Sequence, residues 1–373
     1  MIITIQPGLL SGEVTVPPSK SLSHRALIAA FLSGGTVENL ADNDDISATR
    51  DCLNAIRNDG VLHCRESGST MRFLMPLSLI FNSKVVFTGN PGLLERPMDP
   101  YFNLFDIKRQ ENGYILSGKL QPGRYKLPGN VSSQFITGLM FALPLLNGDS
   151  EIIIHSSLES GSYVNLTLQV LDAFGIIVNP IPDGYYIPGN QKFISCTYTV
   201  EGDESAAAFW RVADALGSDI ICKGLNPNSL QGDRIMHDII KNQTRTIDVR
   251  ECPDLVPALA VLCCFRQGES RIVNAGRLRI KESDRLQSIS MELNKLGAKI
   301  TELPDGLVIQ GVSFLTGGNV SSHNDHRIPM ALAVAAIRCR EPVIINGAEC
   351  VGKSYPGFFE DFCALGGQCE YLR

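Results

Sequence analysis

The chain has 373 residues, 44% of them hydrophobic and 19% charged, and carries a formal net charge of −6. That length exceeds one ordinary core and predicts two domains, and the composition is that of a globular protein, not a disordered or fibrous one. The negative charge excludes a general nucleic-acid-binding surface, and the longest apolar stretches fall short of the roughly 18 residues of a membrane span.

The opening MIITIQPGLLSGEVTV reads as strand, turn, strand. It lacks the basic start and apolar core of a signal peptide, which points to a cytoplasmic protein. SKSLSHRALIAAFLSGG then begins the first of six helices of one design. The others are SGSTMRFLMPLSLIF, SSQFITGLMFALPLLNG, DESAAAFWRVADALG, PDLVPALAVLCCF and NDHRIPMALAVAAIR. Each begins with Ser, Asp or Asn, good capping residues, and continues apolar on nearly every side, so it belongs inside a domain.

Between them run amphipathic helices that stop at a glycine: TRDCLNAIRNDG, LTLQVLDAFG, LQSISMELNKLG and FFEDFCALGG. Three Asn-Gly or Asp-Gly turns open short alternating strands, ENGYILSG, PDGYYIPG and PDGLVIQG. The recurrence predicts a repeated β/α unit whose buried helices are walled by sheets. Eleven scattered cysteines without a CxxC pair predict buried reduced thiols, with neither a disulfide framework nor a zinc site.

Polar residues at a helix start are most often only caps. Here the starts hold Lys20, Arg25, Arg72, Gln134, Asp254, His326 and Arg327, more than capping requires. A buried helix also presents unpaired N–H groups and the positive end of its dipole, so several such ends together make a pocket for phosphates or carboxylates.

IKESDRLQ sets Glu282 between Lys281 and Arg285, whose four-residue spacing predicts one helix face. NDHRIP places His326 beside Asp325 and Arg327; the basic neighbour and the lack of further ligands argue against a metal held by His323 and His326. LERPM offers Arg96 in a proline-flanked loop. GAECVGKS matches the Walker pattern after the strand-like EPVIIN, but Pro356 interrupts the helix that should follow and little chain remains for a nucleotide-binding core. Lys353 stays a candidate phosphate contact. Neither GxSxG nor GxGxxG occurs, which sets aside α/β-hydrolase and dinucleotide chemistry.

In chain order, PSKSLSHRAL, SGSTMRFL, LERPM, VSSQFITGLMFALP, VEGDESAAAFW, CPDLVPALA, RIKESDRL, NDHRIPMAL and VGKSYPGFFEDF resemble the EPSP (5-enolpyruvylshikimate-3-phosphate) synthases of the enolpyruvyl transferase family. The resemblance implies an α/β fold of two inverse-barrel-like domains, each of three βαβαββ units around buried parallel helices. Residues 1–19 with 202–373 would form the lower domain and 20–201 the upper, with hinges near Lys20 and Glu201 and the active site in the cleft. The implied reaction moves the enolpyruvyl group of phosphoenolpyruvate (PEP) to the 5-hydroxyl of shikimate 3-phosphate, without metal or organic cofactor, in a monomer that closes on substrate.

Carried over by motif, Lys20, Ser21 and Arg25 contact the ligands, with Lys20 toward the PEP phosphate. Ser132, Ser133 and Ser160 hold the shikimate 3-phosphate, Gln134 and Tyr163 line its ring, and Lys281 helps fix it. Gly68 and Ser69 wrap PEP, Arg96 and Lys353 grip its phosphate, and Arg285 and Arg327 its carboxylate. Asp254 is the expected base at the 5-hydroxyl and Glu282 the proton-transfer group at the PEP methylene; their division of labour with Lys20 stays open. His326 is expected to position the phosphate. Glu66 and Arg277 depart from the family pattern, and the segment from Arg96 to Val131 is short, which predicts one trimmed repeat in the upper domain. The competing readings are a UDP-N-acetylglucosamine enolpyruvyl transferase and a P-loop ATP-binding protein.

Overall fold

Residues 1–57 and 60–372 are described by a computed structural model. The chain divides into two compact units, one of residues 1–17 and 202–373, the other of 18–201. It opens with two strands of the first unit, β1 (Ile2–Ile5) and β2 (Ser11–Thr15).

The unit of residues 18–201 follows with α1 (Lys20–Ser33), β3 (Thr36–Glu38), α2 (Asp44–Ala55), β4 (Val61–His63), α3 (Gly68–Phe81) and β5 (Lys84–Thr88). Two short helices, α4 (Pro91–Leu94) and α5 (Asp99–Phe102), lead to the hairpin β6 (Asp106–Gln110) and β7 (Gly113–Ser117). Then come β8 (Arg124–Leu127), α6 (Ser133–Ala142), β9 (Ser150–Ile154), α7 (Gly161–Ala173), β10 (Asn179–Ile181), β11 (Gly184–Ile187) and β12 (Thr197–Thr199). The sheets run β4-β5-β7-β6 and β10-β11-β9-β8, each a parallel pair flanked by an antiparallel hairpin. Each is one βαβαββ repeat. A third sheet has only the parallel pair β12-β3.

Helices α1, α3 and α6 are the apolar ones, and their side chains fill a single core of this unit. Pro76 lies inside α3 and cannot donate to the Arg72 carbonyl. The buried Tyr101 hydroxyl sits 2.9 Å from that carbonyl and takes over the missing bond. A side chain at Gly138 of α6 would strike both groups, so glycine lets α3 and α6 approach closely here.

The other unit resumes with α8 (Glu204–Ala215), β13 (Asp219–Lys223), α9 (Met236–Lys241), β14 (Thr246–Asp248), α10 (Val256–Cys264) and β15 (Glu269–Val273). It continues through α11 (Arg285–Lys295), β16 (Lys299–Leu303), β17 (Gly306–Gln310), β18 (Gly318–Ser321), α12 (Arg327–Ala336), β19 (Val343–Asn346), α13 (Phe358–Ala364) and β20 (Cys369–Leu372). Its sheets are β14-β15-β17-β16, β18-β19-β1-β20 and the parallel pair β13-β2. In the second of these, strands from the two ends of the chain make the outer antiparallel pair. Helices α8, α10 and α12 are buried in a separate core, where Trp210 stacks on Phe358 at 4.8 Å.

The three turns read from the sequence join β6 to β7, β10 to β11 and β16 to β17. In all three, a side chain on the glycine that starts the second strand (Gly113, Gly184, Gly306) would run into a carbonyl of the next strand, at Phe87, Ile152 or Ile272. Glycine is needed for that close approach.

Two expectations need correction. Four of the six repeats are complete, but those holding α1 and α8 end after α2 and α9 without a closing hairpin among the described residues. The short segment from Arg96 to Val131 leaves its four-stranded sheet intact; what is reduced is the helix, to the four residues of α5. All eleven cysteines are free thiols, most of them buried, with Cys363 exposed. No helix among the described residues is long and apolar enough to cross a membrane.

Candidate active site

In residues 18–201 the starts of α1, α2 and α3 are tied together. Lys20 Nζ lies 2.9 Å from Asp45 Oδ2, the two side chains 16% and 13% exposed. The Asp45 carbonyl accepts from the Thr49 and Thr70 hydroxyls, and Ser67 caps α3 by accepting from the Thr70 N–H. Ser19 stands at the cap position of α1, but its side chain makes no capping bond; the Ser23 hydroxyl instead accepts from the Ala41 N–H.

Arg25 is buried and held at each nitrogen: Nε donates to Thr167, Nη1 to the Ser21 carbonyl and Nη2 to the Tyr163 carbonyl, with Phe73 under the guanidinium at 5.1 Å. Burial pushes it down to about 10, so it stays charged at neutral pH. His24, on the neighbouring turn, bonds Thr49 at 2.7 Å. Burial, with smaller contributions from Lys20 and Arg25, holds it down to about 3 against the pull of Asp45.

A second group joins α3 to α6. Arg72 Nη1 donates to Gln134 Oε1 at 2.7 Å, and Gln134 Nε2 donates to Ser69 Oγ at 2.9 Å. Gly68 sits against two guanidiniums; a Cβ there would stand 3.1 Å from Arg96 Nη1 and 3.5 Å from Arg72 Nη1. Burial and then the charge of Arg96 push Arg72 down to about 10. Two cations, a hydroxyl and a helix N-terminus around a residue without a side chain suit an anionic group. Ser132 caps α6 next to Ser133, and Ser160 holds a left-handed conformation (φ 57) at the start of α7. Glu66 accepts from Asn90 at 3.3 Å.

The unit of residues 1–17 and 202–373 carries an ion-pair web. Asp254 accepts from Arg285 Nη1 at 2.9 Å and from Arg327 Nη2 at 3.0 Å, with Lys281 Nζ at 4.0 Å. Arg285 also grips the fully buried Asp325 with two bonds, of 2.8 and 3.1 Å. Burial opposes the charge of Arg285, but Asp325, Asp254 and Glu282 together outweigh it and hold the guanidinium protonated. Lost hydration pushes Lys281 down to about 8 against the pull of Asp254, and Arg285, Arg277 and Arg327 add to the fall. Glu282 Oε2 lies 2.7 Å from His326 Nδ1. Lys353 Nζ donates to the Asn324 carbonyl at 2.7 Å, and Arg277 donates to the Arg250 carbonyl.

Two sequence expectations fail locally. Lys281 ends a 3-10 turn and α11 starts only at Arg285, so the two cations do not share a helix face; they meet at Asp254 instead. The Walker-like segment is the 3-10 turn Ala348–Lys353, and the next helix starts at Phe358, which is not a P-loop followed by its helix. Glu282, Asp325 and His326 bring ligand-type atoms within 4.8 Å of one another. A divalent ion there would have to displace Arg285 from Asp325, so the donor set favours the guanidinium already in place. His323 bonds Glu292 at 2.6 Å.

Asp45 and Asp325 belong to these networks, Asp233 accepts from the Ser205 hydroxyl in the same unit as Asp254, and none of the three was proposed as a site residue from sequence. Asp325 had a signal, its place beside His326; Asp45 and Asp233 lie in the unremarkable runs NDDIS and QGDR.

The family model for EPSP synthase (3-phosphoshikimate 1-carboxyvinyltransferase) matches residues 5–60 and 54–362. Its break falls at the link between α2 and β4, where the repeat stops short. The 3-phosphoshikimate 1-carboxyvinyltransferase of Clostridium acetobutylicum is 46% identical over 418 aligned positions, covering 98% of this chain and 97% of the relative. That of Clostridium kluyveri is 45% identical, covering 99% and 98%. Both alignments are longer than the 373-residue chain, so stretches of each relative face gaps. The structure of EPSP synthase from Acinetobacter baumannii superposes with a TM-score of 0.80 at 25% identity, over 99% of this chain and 100% of that one. A match that runs almost end to end, in sequence and in fold, cannot come from one shared module, and the chain belongs to the EPSP synthase family.

Proposed function

We propose that this chain transfers the enolpyruvyl group of PEP to the 5-hydroxyl of shikimate 3-phosphate and releases phosphate, acting as a monomer in the cytoplasm. The observation that carries the reading is the near full-length relation to enzymes named for that reaction. Both substrates are polyanions, and their repulsion must be offset by cations and helix N-termini. Those are the groups gathered at the starts of α1, α3 and α6 in one unit and around Asp254 in the other.

In this reading Ser21, Arg25, Ser132, Ser133, Gln134, Ser160 and Tyr163 receive shikimate 3-phosphate together with Lys281. Lys20, Gly68, Ser69, Gln134, Arg96 and Lys353 receive the PEP phosphate side, and Arg285 and Arg327 its carboxylate. A carboxylate bonded to two guanidiniums is a poor base. Once the PEP carboxylate competes for Arg285 and Arg327, Asp254 is freed to take the 5-hydroxyl proton as that oxygen bonds to carbon 2 of PEP. Glu282, oriented by His326 at 2.7 Å, gives a proton to carbon 3. The same group removes a methyl proton as the bond from carbon 2 to the phosphate oxygen breaks. The proton held by Asp254 passes to the departing phosphate, so one C–O bond forms, one breaks, and both carboxylates return to their starting state.

The test is phosphate release from purified protein. Release that needs both PEP and shikimate 3-phosphate, and that is abolished in Glu282→Ala and Lys20→Met, is the expected result. Release with UDP-N-acetylglucosamine as the acceptor, or none with shikimate 3-phosphate, would overturn it.

A further inference from the structure

Asp233 has no part in the roles assigned above. It lies in the 3-10 turn Gly232–Ile235 that leads into α9, is 3% exposed, and belongs to the same unit as Asp254 and Arg327. One of its oxygens, Oδ2, accepts a hydrogen bond from the Ser205 hydroxyl, in the first turn of α8. The other, Oδ1, is buried and makes no hydrogen bond. An ionised oxygen buried without a donor is far costlier than a neutral acid in the same place.

The groups that face it come from three elements. Asp203 and Ser205 lie at the start of α8, Cys252 and Asp254 precede α10, and Arg327 opens α12. Burial and then the charge of Asp254 push the Asp233 carboxyl up to about 7, with Asp203 adding to the rise, against Arg327 and the Ser205 hydroxyl. The charge of Arg327 therefore acts on both Asp254, which it bonds, and the buried Asp233. Arg327 bonds Asp254 at 3.0 Å, and only a neutral Asp233 leaves that bond uncontested.

We propose that Asp233 is a positioning residue for the Asp254–Arg327 pair: as a neutral acid it leaves Arg327 to Asp254 and to an incoming carboxylate, and when ionised it competes for Arg327. The role rests on the function proposed above. It acts on the binding of the carboxylate substrate and touches no reacting atom.

The experiment measures KM for PEP and kcat from pH 6 to 9 in wild type, Asp233→Asn and Asp233→Ala. In wild type, KM for PEP rises above neutrality by up to roughly tenfold per pH unit, with a smaller change in kcat. Asp233→Asn, isosteric and unable to ionise, loses that rise, and the ratio of KM at high to low pH is independent of how much protein folds. If Asp233 only braces the start of α8, both variants weaken the protein while the rise persists, and that result overturns the proposal. The infrared difference spectrum, wild type minus Asp233→Asn, must show a protonated carboxyl band at pH 6 that is lost by pH 8. Its absence at pH 6 also overturns the proposal. An inactive wild type overturns the enzymatic reading and the positioning role together, while a band that still titrates keeps the buried acid itself apart from that failure.

Discussion

His24 gives the sharpest prediction because its penalty follows chiefly from burial, which outweighs the pull of Asp45. The imidazole is 1% exposed, stands edge-on to Phe73 at 6.2 Å and bonds Thr49, while Nε2 has no hydrogen-bond partner. Lys20 and Arg25 add repulsion to the lost hydration, and the ring stays neutral down to about pH 3, against 6.5 when unfolded. A base whose pKa is depressed by folding costs stability as pH falls, because only the unfolded chain gains the proton. The loss begins near pH 6.5 and grows by about 1.4 kcal/mol per unit, or about 2 kcal/mol by pH 5. His24→Asn keeps a partner for Thr49 and removes the ionisable ring. Urea unfolding at pH 7, 6 and 5 should show wild type losing about 2 kcal/mol more than the variant across that range. The comparison is between slopes, so any packing cost of the substitution cancels. Parallel pH dependences would show that the folded imidazole takes up its proton as readily as the unfolded one, and would refute the argument.

Arg285→Ala leaves Asp325 buried without its two-bond partner and should destabilise its unit by about 3–5 kcal/mol in denaturant unfolding. Arg285→Ala with Asp325→Asn should recover part of that loss, and equal losses in the single and double variants would count against a buried-charge cause. Gly68→Ala places a methyl group 3.1 Å from Arg96 Nη1 and should raise KM for PEP severalfold. Glyphosate, which competes for the PEP site in this family, should inhibit the wild type and bind the variant more weakly; an unchanged KM and inhibition would contradict the placement of Arg96.

The repetitive parts of the fold were legible because they follow from local rules. Asn-Gly and Asp-Gly turns mark three of the antiparallel hairpins, and all-round apolar composition marks α1, α3, α6, α8, α10 and α12 as buried. The polar helix starts also announced themselves, since Lys20, Gln134 and Arg327 exceed what a cap requires. What stayed hidden is the choice of partner. Arg285 reaches Asp254 and Asp325, 31 and 40 residues away, and Arg327 reaches Asp254 across 73. Periodicity suggested a face shared by Lys281 and Arg285, but the chain between them is not helical and the carboxylate decides where the cations meet. Among the described residues no hairpin follows α2, and the sequence carries a trace of that, since only five residues separate Ala55 from Val61.

The two trimmed repeats are those that topology can shorten without opening a unit. In residues 18–201 the parallel pair of β3 and β12 joins Thr36 to Thr197, near the two ends of that stretch of chain. In the other unit β2 and β13 join Ser11 to Asp219, which ties the segment before residue 18 to the segment after residue 201. These pairings close each unit on itself, and removing either would release a terminal strand and uncover α1 or α8. A closing hairpin, by contrast, is local: its two strands pair with each other and with one neighbour, and its loss removes an outer wall while the closure bonds stay. Isolated two-strand parallel sheets are weak. These two persist because α1 and α8 are buried against them and fixed by bonds at their starts, from Lys20 to Asp45 and from Ser205 to Asp233. Lys20, a proposed ligand contact, and Asp233, a proposed positioning residue, thus brace the repeat of each unit that has no closing hairpin among the described residues, so substitutions at either have to be read for stability and for activity side by side.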